Sequence, residues 1–447
     1  MKRRDFIFNS AAMLGSLPLS RAALGQETPC QPPGLGVIGG TADPTVACEE
    51  PIGPLGLPLY DPSKIVYQGA FTVPQGGRNV SGVNLTGNQY GLQGSGGIAY
   101  NPDGDSGRGS LFVAFGLAAG NPNEPCFCEI SIPDPAPSNF DRASLLQNYE
   151  LLGGSVGRFP NGHSGSNGTS CTGMLYKDGY LYFTAAGIYR DQAAATTLFR
   201  RSATNIADNI VDGPYAVVSS SLNQRAMGNG LGCPIPDVWQ STFGGATLLG
   251  GGGHNLSLLN SANYGPGFWV IDHNDVGGPA GSTIPGTSIL RHNRGAQGGT
   301  VAGHWPYLGN YPDFAFSGMS THRGTVMLPD SRTVLTYGTW AAESVYDTGG
   351  SISGLVQGPI ALNGTAMDRF ILYDARELKK AFDGVISDHE AVLPYSTHDM
   401  DFSISNGKYR PGWRAACWDV ENRRLFVGDD NGAGGSYPLV HVLDFPI

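Results

Sequence analysis

The chain has 447 residues and a formal net charge of −10, with 27 Lys and Arg against 37 Asp and Glu. Its 67 glycines are roughly twice the average usage, and 31 prolines accompany them. Because Gly and Pro interrupt helices, this composition predicts many short strands joined by turns and excludes long helices and coiled coils. The acidic balance, without a run of Lys or Arg, argues against nucleic acid as a partner.

Residues 1–25 have the pattern of a cleavable export signal: a basic start, a modest apolar stretch and small residues before Gly25. The run Lys2-Arg3-Arg4-Asp5-Phe6-Ile7 resembles the twin-arginine motif, although Lys2 stands where Ser or Thr is usual. The resemblance implies a bacterial protein that the twin-arginine export machinery delivers, already folded, to the periplasm or the medium. No other apolar run is long enough to span a bilayer, so we expect no stable membrane insertion.

Residues 26–61 are rich in Pro and Gly and predict an irregular N-terminal arm, which leaves residues 62–447 as one domain. The chain has seven cysteines, and in an oxidising compartment Cys30 and Cys48 could pair within the arm. Cys126 and Cys128 alternate in a predicted strand, so both thiols point to one face. This arrangement favours packing over metal binding.

The rest of the chain repeats one pattern five times: a Gly-rich approach, a strand, a turn, a second strand ending in Gly, a loop and a third strand. The first strands are predicted at 97–100, 172–176, 232–235, 324–328 and 414–418. The second strands are predicted at 110–116, 180–187, 246–250, 333–338 and 424–428. The third strands are predicted at 126–130, 197–200, 267–271, 369–373 and 439–443. A fourth strand follows the first four repeats, at 148–152, 215–218, 287–290 and 390–393.

The last repeat ends with the chain and lacks a fourth strand, but residues 65–72, before the first repeat, form a suitable one. A β-propeller closes its ring in this way and leaves no open edge. The sequence therefore predicts an all-β, five-bladed β-propeller, although the length also permits six or seven blades. Short helices are predicted at 236–243 and 375–382.

In a propeller, the approach loops and the loops between second and third strands open on one face around the central channel, which we call the approach-loop face. This face is the default ligand site. The candidate catalytic residues that map to it are His163, His254, Tyr264, Arg225 and His322. The candidate substrate-binding residues are Arg190, His398, Arg414, Trp340 and Tyr437.

These residue types suit elimination at a uronic acid, which needs a base near neutral pH, a proton donor for the leaving oxygen and a cation on the carboxylate. The chain thereby resembles, in fold and residue types alone, exported propeller lyases that act on uronate polysaccharides such as ulvan. The resemblance implies a carbohydrate-active enzyme with a polysaccharide or another small molecule as substrate. No motif carries individual residues across.

Three other functions stay open. A five-bladed glycoside hydrolase would need two carboxylates, from the set Asp313, Glu343, Asp399, Asp401, Asp429 and Asp430. A metal-dependent enzyme would hold a divalent cation with histidines from separate blades, although no local ligand spacing marks such a site. A non-catalytic propeller would bind glycan or protein through exposed aromatic rings, from the set Trp305, Tyr307, Trp340, Tyr346, Trp413 and Tyr437.

Overall fold

The structure is a computed structural model of the chain. It describes residues 53–74, 78–80, 83–85, 97–118, 121–138, 140–154, 169–187, 198–218, 230–252, 267–291, 321–341, 344–347, 358–361, 366–386, 392–400, 413–429 and 438–447. They belong to the compact unit Pro51–Ile447. The predicted signal segment, residues 1–25, and the pair Cys30 and Cys48 lie outside the described residues. Within these ranges no helix has the length and apolar character that crossing a membrane requires.

The described residues form an all-β, five-bladed β-propeller, which confirms the predicted fold class. Before the first blade lie β1 (Val66–Thr72), β2 (Arg78–Val80) and β3 (Val83–Leu85). Blade I contains β4 (Ile98–Asn101), β5 (Ser110–Ala118), β6 (Asn121–Ser131) and β7 (Leu145–Leu151). Blade II contains β8 (Thr169–Lys177), β9 (Tyr180–Gly187), β10 (Leu198–Ser202) and β11 (Val211–Val218).

Blade III contains β12 (Leu248–Gly252), β13 (Gly267–Ile271) and β15 (Thr287–Arg291), while β14 (Thr283–Pro285) pairs in parallel with β11. Blade IV contains β16 (Thr321–Met327), β17 (Thr333–Ala341), β20 (Ala366–Asp374) and β21 (Pro394–Met400). A hairpin of β18 (Ser344–Asp347) and β19 (Gly358–Ala361) is inserted between β17 and β20. Blade V contains β22 (Trp413–Asp419), β23 (Arg424–Asp429) and β24 (Leu439–Asp444).

The N-terminal strand β1 completes blade V, as the sequence predicts, because it pairs antiparallel with β24 and places Phe71 opposite Val440. Its other edge is also covered. The Ala70 N–H donates to the Ala136 carbonyl at 2.9 Å, and the Ala136 N–H donates back at 3.0 Å. A strand paired on both sides presents no open ladder to another chain.

Strand positions in blades III and IV differ from the sequence prediction. The first strand of blade III is an irregular segment with one bridge, Pro234 to Leu248, because Pro234 has no N–H to donate. The fourth strand of blade IV is β21, at 394–400, and the prediction of 390–393 was wrong. The apolar residues at 390–393 resemble a strand, but Val392 is buried in the core outside any strand. The outer strand itself is largely polar.

The hydrophobic core lies between neighbouring blades, in four clusters arranged around the ring. Inner strands approach closely where the sequence has glycine: a Cβ on Gly173 would lie 2.1 Å from the Leu231 nitrogen. The Tyr337 hydroxyl of blade IV donates to the Ala416 carbonyl of blade V at 2.8 Å. These contacts fix the innermost strands as the wall of a central channel.

Few helices accompany the blades. A helical turn spans Gly104–Gly107, and a short helix, Asp237–Gln240, continues into a 3₁₀ helix, Ser241–Phe243. The helix Ala375–Phe382 has the predicted bounds and is capped by the Asp374 carboxylate. Among the described residues, further 3₁₀ turns lie at Pro54–Gly56, Pro62–Lys64, Ile206–Asp208 and His273–Asp275. The described end of the predicted arm packs on blade IV, where Arg376 donates to the Leu55 carbonyl at 2.8 Å.

Candidate functional site

Three inner strands carry a β-bulge near their first residues, at the approach-loop face. The extra residue is Thr172 in β8, Arg323 in β16 and Arg414 in β22, and in each strand Gly or Ala follows it. A bulge at the same position in three blades adds one residue near the start of each inner strand, on the side where the approach loops enter. In blade II, the Thr172 hydroxyl donates to that of Thr184 at 2.8 Å.

The two arginine bulges lie on neighbouring blades. The strands β16 and β22 contact each other in the ring. The next strand of blade IV, β17, also reaches blade V, through the hydrogen bond from Tyr337 to Ala416. His322 immediately precedes Arg323 and lies opposite Gly338 of β17. The backbone thus places His322, Arg323 and Arg414 on adjacent inner strands.

The other described candidates lie further from the channel. Trp340 is near the end of β17, opposite Met367 of β20. His398, predicted in an approach loop, is instead on the outer strand β21, opposite Phe370, and is partly buried. Its neighbour Asp399 accepts a hydrogen bond from Arg369 Nη2 at 2.8 Å. Six candidates lie outside the described residues and stay predictions: His163, Arg190, Arg225, His254, Tyr264 and Tyr437.

Sequence reasoning missed a cavity of about 450 Å³ at the opposite end of the channel, where the inner strands end. All five blades contribute to its wall. The apolar and aromatic part includes Tyr100, Leu175, Tyr176, Cys233, Ile235, Pro329, Cys417 and Trp418. The signal was present in the sequence, since Tyr100, Tyr176 and Trp418 each occupy the same place near the end of a first strand.

Charged residues surround the opening of this cavity. Asp103, Asp178, Asp237 and Glu421 supply four carboxylates, and Lys177 supplies one ammonium. Lys177 Nζ lies 3.3 Å from Asp178 Oδ1, and His273 Nε2 lies 3.1 Å from Asp178 Oδ2. The Tyr176 hydroxyl donates to Asp103 Oδ2 at 2.6 Å. The cavity therefore has an aromatic wall and an acidic rim.

Burial determines the protonation of the groups in the wall. It raises the pKa of Tyr176, and the hydrogen bond to Asp103 raises it further. Burial also raises the pKa of Tyr100 and brings that of the Cys233 thiol to about 12. At neutral pH these groups are uncharged, so they offer hydrogen bonds and apolar surface rather than a base or a thiolate nucleophile.

In the part of the chain that the structure describes, no group of three or more His, Cys, Asp or Glu side chains is placed to hold a metal ion. The predicted metal site would draw on histidines of the approach-loop face, of which His163 and His254 lie outside the described residues.

Comparisons with known proteins find similar solved structures but no matching family or curated protein. No protein-family model matches the chain, and no curated protein matches it. Among solved structures, it is similar to a protein of unknown function from Dyadobacter fermentans DSM 18053, with 10% identity and a TM-score of 0.39 over 86% of this chain and 100% of the other. It is also similar to a member of the DUF4221 family from Bacteroides vulgatus ATCC 8482, with 9% identity and a TM-score of 0.33 over 85% of this chain and 97% of the other.

Proposed function

We propose that this propeller binds an acidic polysaccharide at its approach-loop face and cleaves it by elimination next to a uronic acid. The observation that carries the proposal is the pair of bulges at Arg323 and Arg414, with His322 beside the first, on adjacent inner strands. Guanidinium groups bind carboxylates in a planar, two-pronged geometry, which suits the uronate group of each sugar.

In the proposed elimination, the predicted residues act as base, proton donor, carboxylate ligand or sugar ligand. A neutral imidazole, from His163, His254 or His322, removes the proton from the carbon next to the carboxylate. The electron pair released forms a carbon–carbon double bond, the bond to the glycosidic oxygen breaks, and Tyr264 donates a proton to that oxygen. Arg225 and Arg414 neutralise the carboxylate, which lowers the energy of the anionic transition state. Arg190, Trp340 and Tyr437 bind neighbouring sugars, whereas His398, on the outer strand β21, has no part in the site.

The cellular location is part of the proposal. Acidic polysaccharides lie outside the bacterial cytoplasm, so an enzyme that acts on them must be exported. The twin-arginine-like run at residues 2–7 supports delivery of the folded propeller to the periplasm or the medium.

The experiment is to incubate the purified full chain with a panel of uronate polysaccharides and to follow ultraviolet absorbance of the unsaturated product. We expect product from at least one polysaccharide, and a loss of about 100-fold or more in rate for His163→Ala or His254→Ala, since removing a general base costs that much. Glu377→Gln, on the outer helix of blade IV, is the matched control and should retain the wild-type rate.

A chelator arm tests the metal alternative, because a divalent cation required for the reaction would be removed and activity lost. Wild-type turnover in both histidine variants would refute the assigned base. Binding without product on every polysaccharide would identify a non-catalytic binding propeller instead.

A further inference from the structure

We infer that the cavity at the opposite end of the channel is a second binding site, for a small organic cation. This inference does not depend on the proposed function, because the cavity lies where the inner strands end and the polysaccharide site lies where they begin. Its volume of about 450 Å³ is in the range of small-ligand sites.

The charge of the rim selects the ligand. Asp103, Asp178, Asp237 and Glu421 come from four different blades, and Lys177, the one ammonium in the lining, is already close to Asp178. Outside the lining, the nearby guanidinium groups of Arg423 and Arg424 are paired with Asp330 and Asp419. The rim therefore has an excess of negative charge, which attracts cations and repels anions.

The wall selects an organic rather than an inorganic cation. The rings of Tyr100, Tyr176 and Trp418 line the cavity, and aromatic faces attract ammonium groups with apolar substituents. Burial keeps both tyrosines protonated, so they add no charge that would favour a bare metal ion.

Calorimetric titration of the purified full chain at low ionic strength tests the inference, with choline as the probe. The comparison ligand is 3,3-dimethylbutan-1-ol, which has the same shape and hydroxyl group but no charge. We expect choline to bind about tenfold more tightly than this alcohol, the difference that one cation–aromatic and carboxylate site provides.

Variants locate the site. Glu421→Gln and Tyr176→Leu should each weaken choline binding several-fold, whereas Glu377→Gln, a carboxylate on the outer helix, should not change it. Circular dichroism and thermal melting identify any variant that fails to fold, and Glu421, which is exposed, provides the variant that preserves the core. Equal affinity for choline and the neutral alcohol, or no binding of choline at all, would overturn the inference.

Discussion

Arg201 joins blades I and II from a position that is only 1% exposed. Its guanidinium donates to the carbonyls of Leu151, Leu152 and Ile206 at 2.9, 3.1 and 2.6 Å. The same group lies 4.5 Å from the centre of the Phe127 ring. A buried charge is tolerated here because carbonyl oxygens and an aromatic face replace the water it loses.

Replacing this guanidinium with an apolar side chain should be costly. We expect Arg201→Met to reduce the free energy of unfolding by about 3 kcal/mol, because three carbonyls lose a charged donor. Denaturant unfolding followed by tryptophan fluorescence measures the change. The control is Arg108→Met, whose side chain is 77% exposed and forms an exposed ion pair with Asp105, so its effect should stay within about 0.5 kcal/mol. Equal effects of the two substitutions would refute the interface role of Arg201.

The five described cysteines, Cys126, Cys128, Cys171, Cys233 and Cys417, are buried free thiols. Cys126 and Cys128 pack in one cluster between blades V and I, as their alternation predicts. Burial raises the pKa of Cys171 and Cys233 to about 12. The folded chain thus retains protons that the unfolded chain releases near the ordinary thiol pKa.

Stability should therefore fall as pH rises above the ordinary thiol range. Between that range and the raised pKa the unfolded state binds fewer protons, so the free energy of unfolding decreases with pH. Urea denaturation at about pH 7.5 and about pH 10 tests the sign. Peptide mapping after treatment with a thiol reagent should show these five cysteines unmodified in the native protein. Rapid modification of Cys171 or Cys233 without unfolding would contradict their burial.

At the scale of elements, β1 closes the ring by pairing with the last strand, β24. Phe71 is fully buried between blades V and I, whereas Val66, at the start of the same strand, is 44% exposed. The strand is therefore held by its second half, which also pairs with residues 136 and 141–143 of blade I.

Phe71→Ala should destabilise the whole propeller, by about 4 kcal/mol, because it leaves a cavity at the closing blade. Val66→Ala should change stability by less than about 0.5 kcal/mol. Thermal and urea unfolding of both variants provide the comparison. If Phe71→Ala unfolded at the wild-type midpoint, the closure by β1 would not hold the ring together.

Elements were predictable where the pattern is apolar. Second and third strands such as β9 and β13 have their predicted bounds, because both of their faces are buried and their side chains are apolar. Strand bounds were predicted wrongly in blades III and IV for the opposite reason. The outer strand β21 is largely polar, and the inner segment at Pro234 follows the channel without forming a regular ladder.

At the scale of the whole molecule, the ring has two chemically different ends. The inner strands begin with His322, Arg323 and Arg414 on adjacent blades, and they end around an acidic, aromatic cavity. From the sequence, the strand order indicates which loops lie at the first end, and the ligand site there stays a prediction. The sequence did not predict the second end, since the lining residues lie about one blade apart in sequence and only ring closure brings them together.

The central claim is that the end carrying the two arginine bulges binds anionic sugar. The measurement that tests it most directly is calorimetric titration of the full chain with oligogalacturonate, for the wild type and for the Arg323→Gln/Arg414→Gln double variant. We predict binding that weakens about tenfold or more in the double variant, since each charge-assisted hydrogen bond contributes about 1.5 kcal/mol or more. Asp103→Asn/Glu421→Gln, at the opposite end of the channel, should leave it unchanged. Undiminished affinity in the arginine variant, or no binding by the wild type, would contradict the account.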